Sequence, residues 1–118
     1  MVRSFRRRYI VFHIVSPDNV GKGLLIKMIR DRTRSLDEEE FSRIKPWLVY
    51  HNDDWAILRC GHTGVAGMIS ILRSMDGAVL KEGKLHIRVA GVSGTLRGAF
   101  RKYVPEKIRA GRHYREER

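Results

Sequence analysis

The residues best placed to do chemistry lie in Gly91-Val92-Ser93-Gly94-Thr95-Leu96-Arg97. Gly91 and Gly94 flank Val92-Ser93 and let the backbone turn tightly or approach another group closely. Ser93 or Thr95 can cap a following helix. Leu96, Ala99, Phe100 and Tyr103 would share one face of that helix, with Arg97 and Arg101 on another. A helix N-terminus with unpaired N–H groups, a positive dipole end and an arginine one turn in suits a phosphate. The same residues also read as an ordinary capped amphipathic helix packed on a sheet.

Other constellations fail on spacing. Ser93 and His86 could be imagined as nucleophile and base, but no G-x-S-x-G elbow surrounds Ser93. Cys60 and His62 lie two apart with His51 nearby, and a metal site needs three or four convergent ligands. Cys60 therefore reads as a buried, inert thiol. Val20-Gly21-Lys22-Gly23 faintly resembles a phosphate-binding loop, but that pattern needs glycine where Ser16 stands and Ser or Thr where Gly23 stands. The arginine-bearing loop of acylphosphatases is absent after the first strand. No self-contained reaction is expected, and no catalytic residue is assigned.

Charge is the strongest bulk signal. Twenty-four Lys and Arg against 13 Asp and Glu give a net charge of +11 over 118 residues. Such an excess points to a polyanionic partner, nucleic acid before an anionic membrane surface. Only 8% of residues are aromatic, so phosphate contacts should outweigh a broad base-stacking platform, and binding should weaken steeply with salt. One cysteine excludes an internal disulfide and fits a reducing cytoplasm. No apolar run reaches the ~20 residues of a membrane span, so no membrane partner is expected.

These residues need a scaffold, and the chain predicts one. Residues 1–8 read as a basic arm, 9–105 as a single α/β domain, and 106–118 as a basic tail. Tyr9–Val15 is an apolar, β-branched strand covered on both faces or nearly so. Ser16-Pro17-Asp18 reads as N-cap, first-turn proline and first-turn acid of a helix. Its apolar face carries Leu24, Leu25, Met28 and Ile29. Asp37 opens a short helix, with Glu38–Glu40 at its positive dipole end, and Pro46 ends it. Trp47–Tyr50 and Trp55–Arg59 read as strands around a 51–54 loop. Val65–Met75 reads as a helix with Val65, Ile69 and Leu72 on one face, stopped by Asp76-Gly77. Leu85, Ile87 and Val89 alternate with His86 and Arg88 as in a half-buried strand. The series is the α+β, ferredoxin-like or RRM-like β-α-β-β-α-β sandwich. Its sheet is four-stranded and antiparallel, with extra helices after strand one and at the C-terminus.

Base stacking on that sheet is not expected. Tyr9 and Phe12 are an odd number of positions apart and take opposite faces. Trp55 stands only at the start of its strand, and the K/R-G-F/Y-G/A-F-V-x-F/Y signature is missing. Arginines at the rim are the expected contacts: Arg6, Arg7, Arg8, Arg59, Arg97 and Arg101, with His62 and Lys102. Phe41, Trp47 and Trp55 are the candidates for a protein interface.

Three stretches together resemble one family. They are Arg7-Arg8-Tyr9-Ile10-Val11-Phe12, Trp55-Ala56-Ile57-Leu58-Arg59-Cys60 and Gly91-Val92-Ser93-Gly94-Thr95-Leu96-Arg97. Their order and spacing are similar to the archaeal and eukaryotic ribonuclease P protein component 2 family, over about residues 5–105. His13 departs from the acidic residue more often expected there. The resemblance implies a subunit of the RNA enzyme that matures the 5′ end of precursor tRNA. It implies a tight complex with the barrel-type protein component 3, often as a heterotetramer, bound to ribonuclease P RNA. Precursor tRNA would be met indirectly. The RNA and its Mg²⁺ ions would cut the phosphodiester, and this chain would bind no cofactor of its own. Two other readings fit the charge and fold: a general RNA-binding module of ribosomal type, and a protein-interaction subunit without RNA contact.

Overall fold

Strand β1, Arg7–Val15, is apolar on both faces, and the rest of the chain is arranged to cover it. A computed structural model describes residues 6–15, 21–52, 54–80 and 83–105. After β1 come helices α1 (Lys22–Thr33) and α2 (Glu38–Ile44). A hairpin follows, of β2 (Trp47–Asn52) and β3 (Trp55–Gly61), then α3 (Val65–Met75). A small ribbon of β4 (Val79–Leu80) and β5 (Gly83–Lys84) leads into β6 (His86–Ser93) and α4 (Leu96–Tyr103). The main sheet has the order β2-β3-β1-β6, antiparallel throughout. This is the expected β-α-β-β-α-β plan, with β1 at the centre between β3 and β6.

One face of β1 carries Ile10, Phe12 and Ile14 into a core with Leu25 and Ile29 of α1 and Met68, Leu72 and Met75 of α3. The other face carries Tyr9 and Val11 into a second core with Ile57 of β3 and Leu96, Ala99 and Phe100 of α4. The extra C-terminal helix thus does not join the other helices. It crosses the opposite face and closes it over the middle of the sheet. Tyr9 and Phe12 fall in different cores, as their odd spacing requires.

Two bulges set which side chains meet. Val11 lies opposite Gly91 but Phe12 lies opposite Val89, so Ala90 is the extra residue. The bulge reverses the alternation of β6. Leu85, Ile87, Val89 and Val92 all serve the first core, while Gly91 and Ser93 sit opposite Val11 and Tyr9. On β2, Val49 is the extra residue between Leu48 and Tyr50.

Several sequence expectations are corrected here. The strand does not stop before Gly91-Val92-Ser93 but runs through Ser93, so only Gly94-Thr95 turns. The close approach expected of Gly91 is to its own chain, since a Cβ there would collide with the Tyr103 ring. The hairpin loop is shorter than 51–54, because His51 and Asn52 pair with Ala56 and Trp55; Asp53 lies outside the described residues. The apolar face of α3 is Met68, Ile71, Leu72 and Met75, with Val65 and Ile69 only flanking it. The helix is turned toward both the sheet and α1, where Arg32 Nε donates to Ser74 Oγ at 3.1 Å. On α1 the buried stripe is Leu25, Ile29 and Thr33, and Leu24 is exposed. The predicted helix start at Ser16-Pro17-Asp18 lies outside the described residues.

Other local signals hold. Asp37 caps α2, its carboxylate accepting from Glu40 N at 2.8 Å. Gly77 has φ of +88°, which suits the residue that stops α3. Asp76 ties that stop to β6 by accepting from Ile87 N at 2.9 Å. Gly91→Ala should lower stability by about 1–3 kcal/mol through overpacking against Tyr103. Chemical denaturation would measure it, and Gly91→Ala with Tyr103→Leu should recover part of the loss.

Candidate nucleic-acid interface

The antiparallel register brings the start of β1 to the start of α4. Tyr9 pairs with Ser93, so Arg6, Arg7 and Arg8 flank Gly94, Thr95 and Leu96 across an open cleft of about 340 Å³. The sequence singled out both segments but could not place them together. The turn is braced from within. Ser93 Oγ accepts from Thr95 N at 3.2 Å, and Thr95 Oγ1 accepts from Gly98 N at 3.0 Å as the N-cap. The amides of Leu96 and Arg97 precede the first intrahelical bond, which Ala99 N makes to Thr95 O at 3.0 Å. They face out of the helix end, where the dipole is positive.

The other expected contacts sort themselves around this cleft. Arg97, Arg101 and Lys102 are exposed on the outer side of α4, opposite its buried Leu96, Ala99 and Phe100. Arg59 is half-buried on β3, between Tyr9 and Trp47. Arg8 is half-buried opposite Cys60 and donates from Nη1 to Arg7 O at 3.0 Å. His62 N donates to Arg6 O at 2.8 Å. His62 Nδ1 lies 3.3 Å from the same oxygen, so the histidine holds the arm as well as adding to its rim.

The charge is segregated. Residues 6–15, 55–75 and 83–105, which supply β1, β3, α3, β6 and α4, contain no Asp or Glu. Glu38, Glu39 and Glu40 fill the first turn of α2, on the side of the first core. The α4 side of the sheet is therefore cationic with no acid from its own strands or helix to neutralise it.

The three interface candidates separate. Phe41 and Trp47 are exposed and line one groove of about 360 Å³ with Ile26, Ile29, Pro46 and Leu48. Lys22 and Arg30 stand on its wall. Trp55 is elsewhere. It is half-buried against the second core and its ring lies 4.5 Å from that of His13, tilted by 30°. From sequence alone, His13 has no role of its own beyond its departure from an acidic residue. Only the pairing of β1 with β3, more than forty positions apart, puts it opposite Trp55.

Cys60 is buried in the first core, and burial pushes its thiol up to about 11, against a smaller lowering by the Arg8 charge. The buried thiol is protonated at neutral pH. Among the described residues no three His, Cys, Asp or Glu side chains are grouped to hold a metal ion. No described helix is long and apolar enough to cross a membrane.

Two outcomes test this arrangement. Thr95→Ala removes the cap and should cost about 1 kcal/mol, read as a lowered unfolding midpoint. For Cys60 the folded chain holds its proton above the ordinary value of 9.0. The cysteine's share of stability should be constant below pH 9 and fall as pH rises toward 11, because only the unfolded thiol ionises there. Denaturation of the parent chain and of Cys60→Ala across that range should diverge, with the parent losing more.

The Rpp14/Pop5 family matches residues 8–104 of this chain. Ribonuclease P protein component 2 of Methanocaldococcus jannaschii is 32% identical over 104 residues, covering 84% of this chain and 73% of that protein. Ribonuclease P protein component 2 of Pyrococcus furiosus is 29% identical over 104 residues, covering 86% and 85%. Among solved structures, a chain of yeast ribonuclease MRP superposes with a TM-score of 0.63 at 13% identity, covering 82% of this chain and 80% of that one. That last likeness is one of fold.

Proposed function

The chain belongs to the Rpp14/Pop5 family, and we propose that it serves as a protein subunit of ribonuclease P that binds the enzyme's RNA chiefly through backbone phosphates. The observation that carries the reading is the cleft that Arg6, Arg7 and Arg8 line together with the N-terminus of α4, with Arg7 on the α4 face of β1 and Arg8 on the other face, opposite Cys60. Fixed amides at a helix start and guanidinium groups beside them are the two elements of a phosphate site. Arg97, Arg101 and Lys102 extend the cationic surface along α4. Each phosphate neutralised releases a condensed counterion, so affinity falls linearly with the logarithm of salt.

In this reading the chain works in the cytoplasm by holding RNA in shape. It meets precursor tRNA through the assembled enzyme. Bond cleavage is left to the RNA and its Mg²⁺, and the cations supplied here lower the Mg²⁺ that the folded RNA requires. The groove of Phe41 and Trp47 is the surface offered to protein component 3, and two such pairs make a heterotetramer. Its apolar floor supplies burial, and Lys22 and Arg30 favour an acidic rim on the partner.

The test is reconstitution. The chain and its partner subunit are added to ribonuclease P RNA, and precursor-tRNA cleavage is followed at limiting Mg²⁺. A gain in cleavage is expected, and none would sink the reading. In a salt titration of RNA binding, Arg97→Ala should reduce the slope by about one unit. An unchanged slope would remove Arg97 from the interface.

A further inference from the structure

The sheet has a second feature on its α4 face, beyond the helix. Asn52, Trp55, His13 and Arg88 are directly opposite one another in register and form one row across β2, β3, β1 and β6. The next row down, Tyr50, Ile57, Val11 and Gly91, lies under α4: Phe100 packs edge-on against Tyr50 with centroids 4.6 Å apart, and Tyr103 covers Gly91. Helix α4 therefore blocks the middle of this face, and Trp55 of the row packs against the edge of the core beneath it. Trp55 and His13 are partly buried and Arg88 is exposed.

We propose that this row is a platform for an unpaired nucleobase of RNA. Trp55 and His13 stand on the sheet's two central strands and present their rings together, 4.5 Å apart. A flat π-system set against that pair continues the stack. The Arg88 guanidinium beside His13 can lie over the base or reach its phosphate, and the Asn52 amide flanks Trp55 with donors and an acceptor. Stacking rings with an adjacent arginine plane are what single-stranded recognition uses. An RNA base is favoured over an apolar protein segment because Arg88 sits at the row's end and the strands and helix on this side carry no acid, the exposed Asp54 beside Trp55 belonging to the hairpin loop. Arg7 and His13 lie on the same face of β1, six residues or about 20 Å apart. A strand held by its phosphates at the α4 cleft can therefore reach the row across the cationic ridge of α4. The inference rests on the reading of the chain as an RNA-binding subunit.

Binding of the full chain to a short unpaired oligoadenylate, and to an abasic ribose-phosphate strand of equal length, separates the two claims. The oligoadenylate should bind more tightly and quench tryptophan emission more. Trp55→Leu should weaken it about tenfold or more, and leave the abasic strand unchanged. Arg88→Ala, at an exposed position, should also weaken the oligoadenylate selectively and keeps the test decisive if Trp55→Leu does not fold. If both strands bind equally and the substitutions change neither, the platform is overturned while salt-dependent phosphate binding stands. Should neither strand bind, both the platform and the phosphate reading fall.

Discussion

Strand β1 puts apolar side chains on both of its faces, and a sheet with such a strand at its centre must be covered twice. Ile10 and Phe12 on one side, and Val11 on the other, are wholly buried. Leaving the Tyr9–Val11 face open would expose several large side chains, each worth about 1.5–3 kcal/mol on burial. Helix α4 meets that demand with Leu96, Ala99 and Phe100. Gly91 is part of the same fit, because any side chain there would displace the Tyr103 ring. The position of α4 follows from the strand, and the positions of Arg97, Arg101 and Lys102 follow from α4.

Covering the face also decides how the chain can use its charge. An open four-stranded sheet of this topology offers its middle to bases. Here the middle is closed, and the arginines open to a polyanion lie at the ends of strands and on the back of a helix. A net charge of +11 repels itself, which destabilises the compact state unless a polyanion neutralises it. The acids are placed where they serve the fold. Asp37 caps α2, Glu38, Glu39 and Glu40 fill its first turn, and Asp76 bonds α3 to β6. None of these acids belongs to the strands or helix of the cationic face.

What could be read from the sequence was what is local. Asp37 as a cap, Val65–Met75 as a helix, the Asp76-Gly77 stop and the amphipathic face of α4 depend on neighbours within a few residues. Alternation along Tyr9–Val15 gave the parity of β1 and so the split of Tyr9 from Phe12. The rest depends on pairing between distant segments. The bulge at Ala90 has no local signal, yet it determines that Gly91 and Ser93 turn toward α4. The cleft between Arg6–Arg8 and Thr95 exists because Tyr9 pairs with Ser93. The parity that splits Tyr9 from Phe12 says nothing of His13, whose partner Trp55 comes from another strand. Phe41 and Trp47 stand on different elements, and only the placement of α1, α2 and β2 around one groove brings them together.

Phosphate contacts fix position and supply affinity, but they do not distinguish one nucleotide from another. A subunit that uses only the α4 cleft and the cations of α4 would bind any RNA of suitable shape, and its register would be set by the partner protein or by the RNA fold. Rings at the far end of the same sheet face change that constraint. A helix duplex presents its phosphates to the cleft but keeps its bases from the row of Trp55 and His13. A junction or an unpaired loop can satisfy both at once. On the proposed reading, the spacing of about 20 Å along β1, with α4 raised between the two places, would select RNA in which a backbone runs past the ridge and then opens. Affinity would then come from charge that the sequence displays openly, and discrimination from a juxtaposition that only the folded sheet creates.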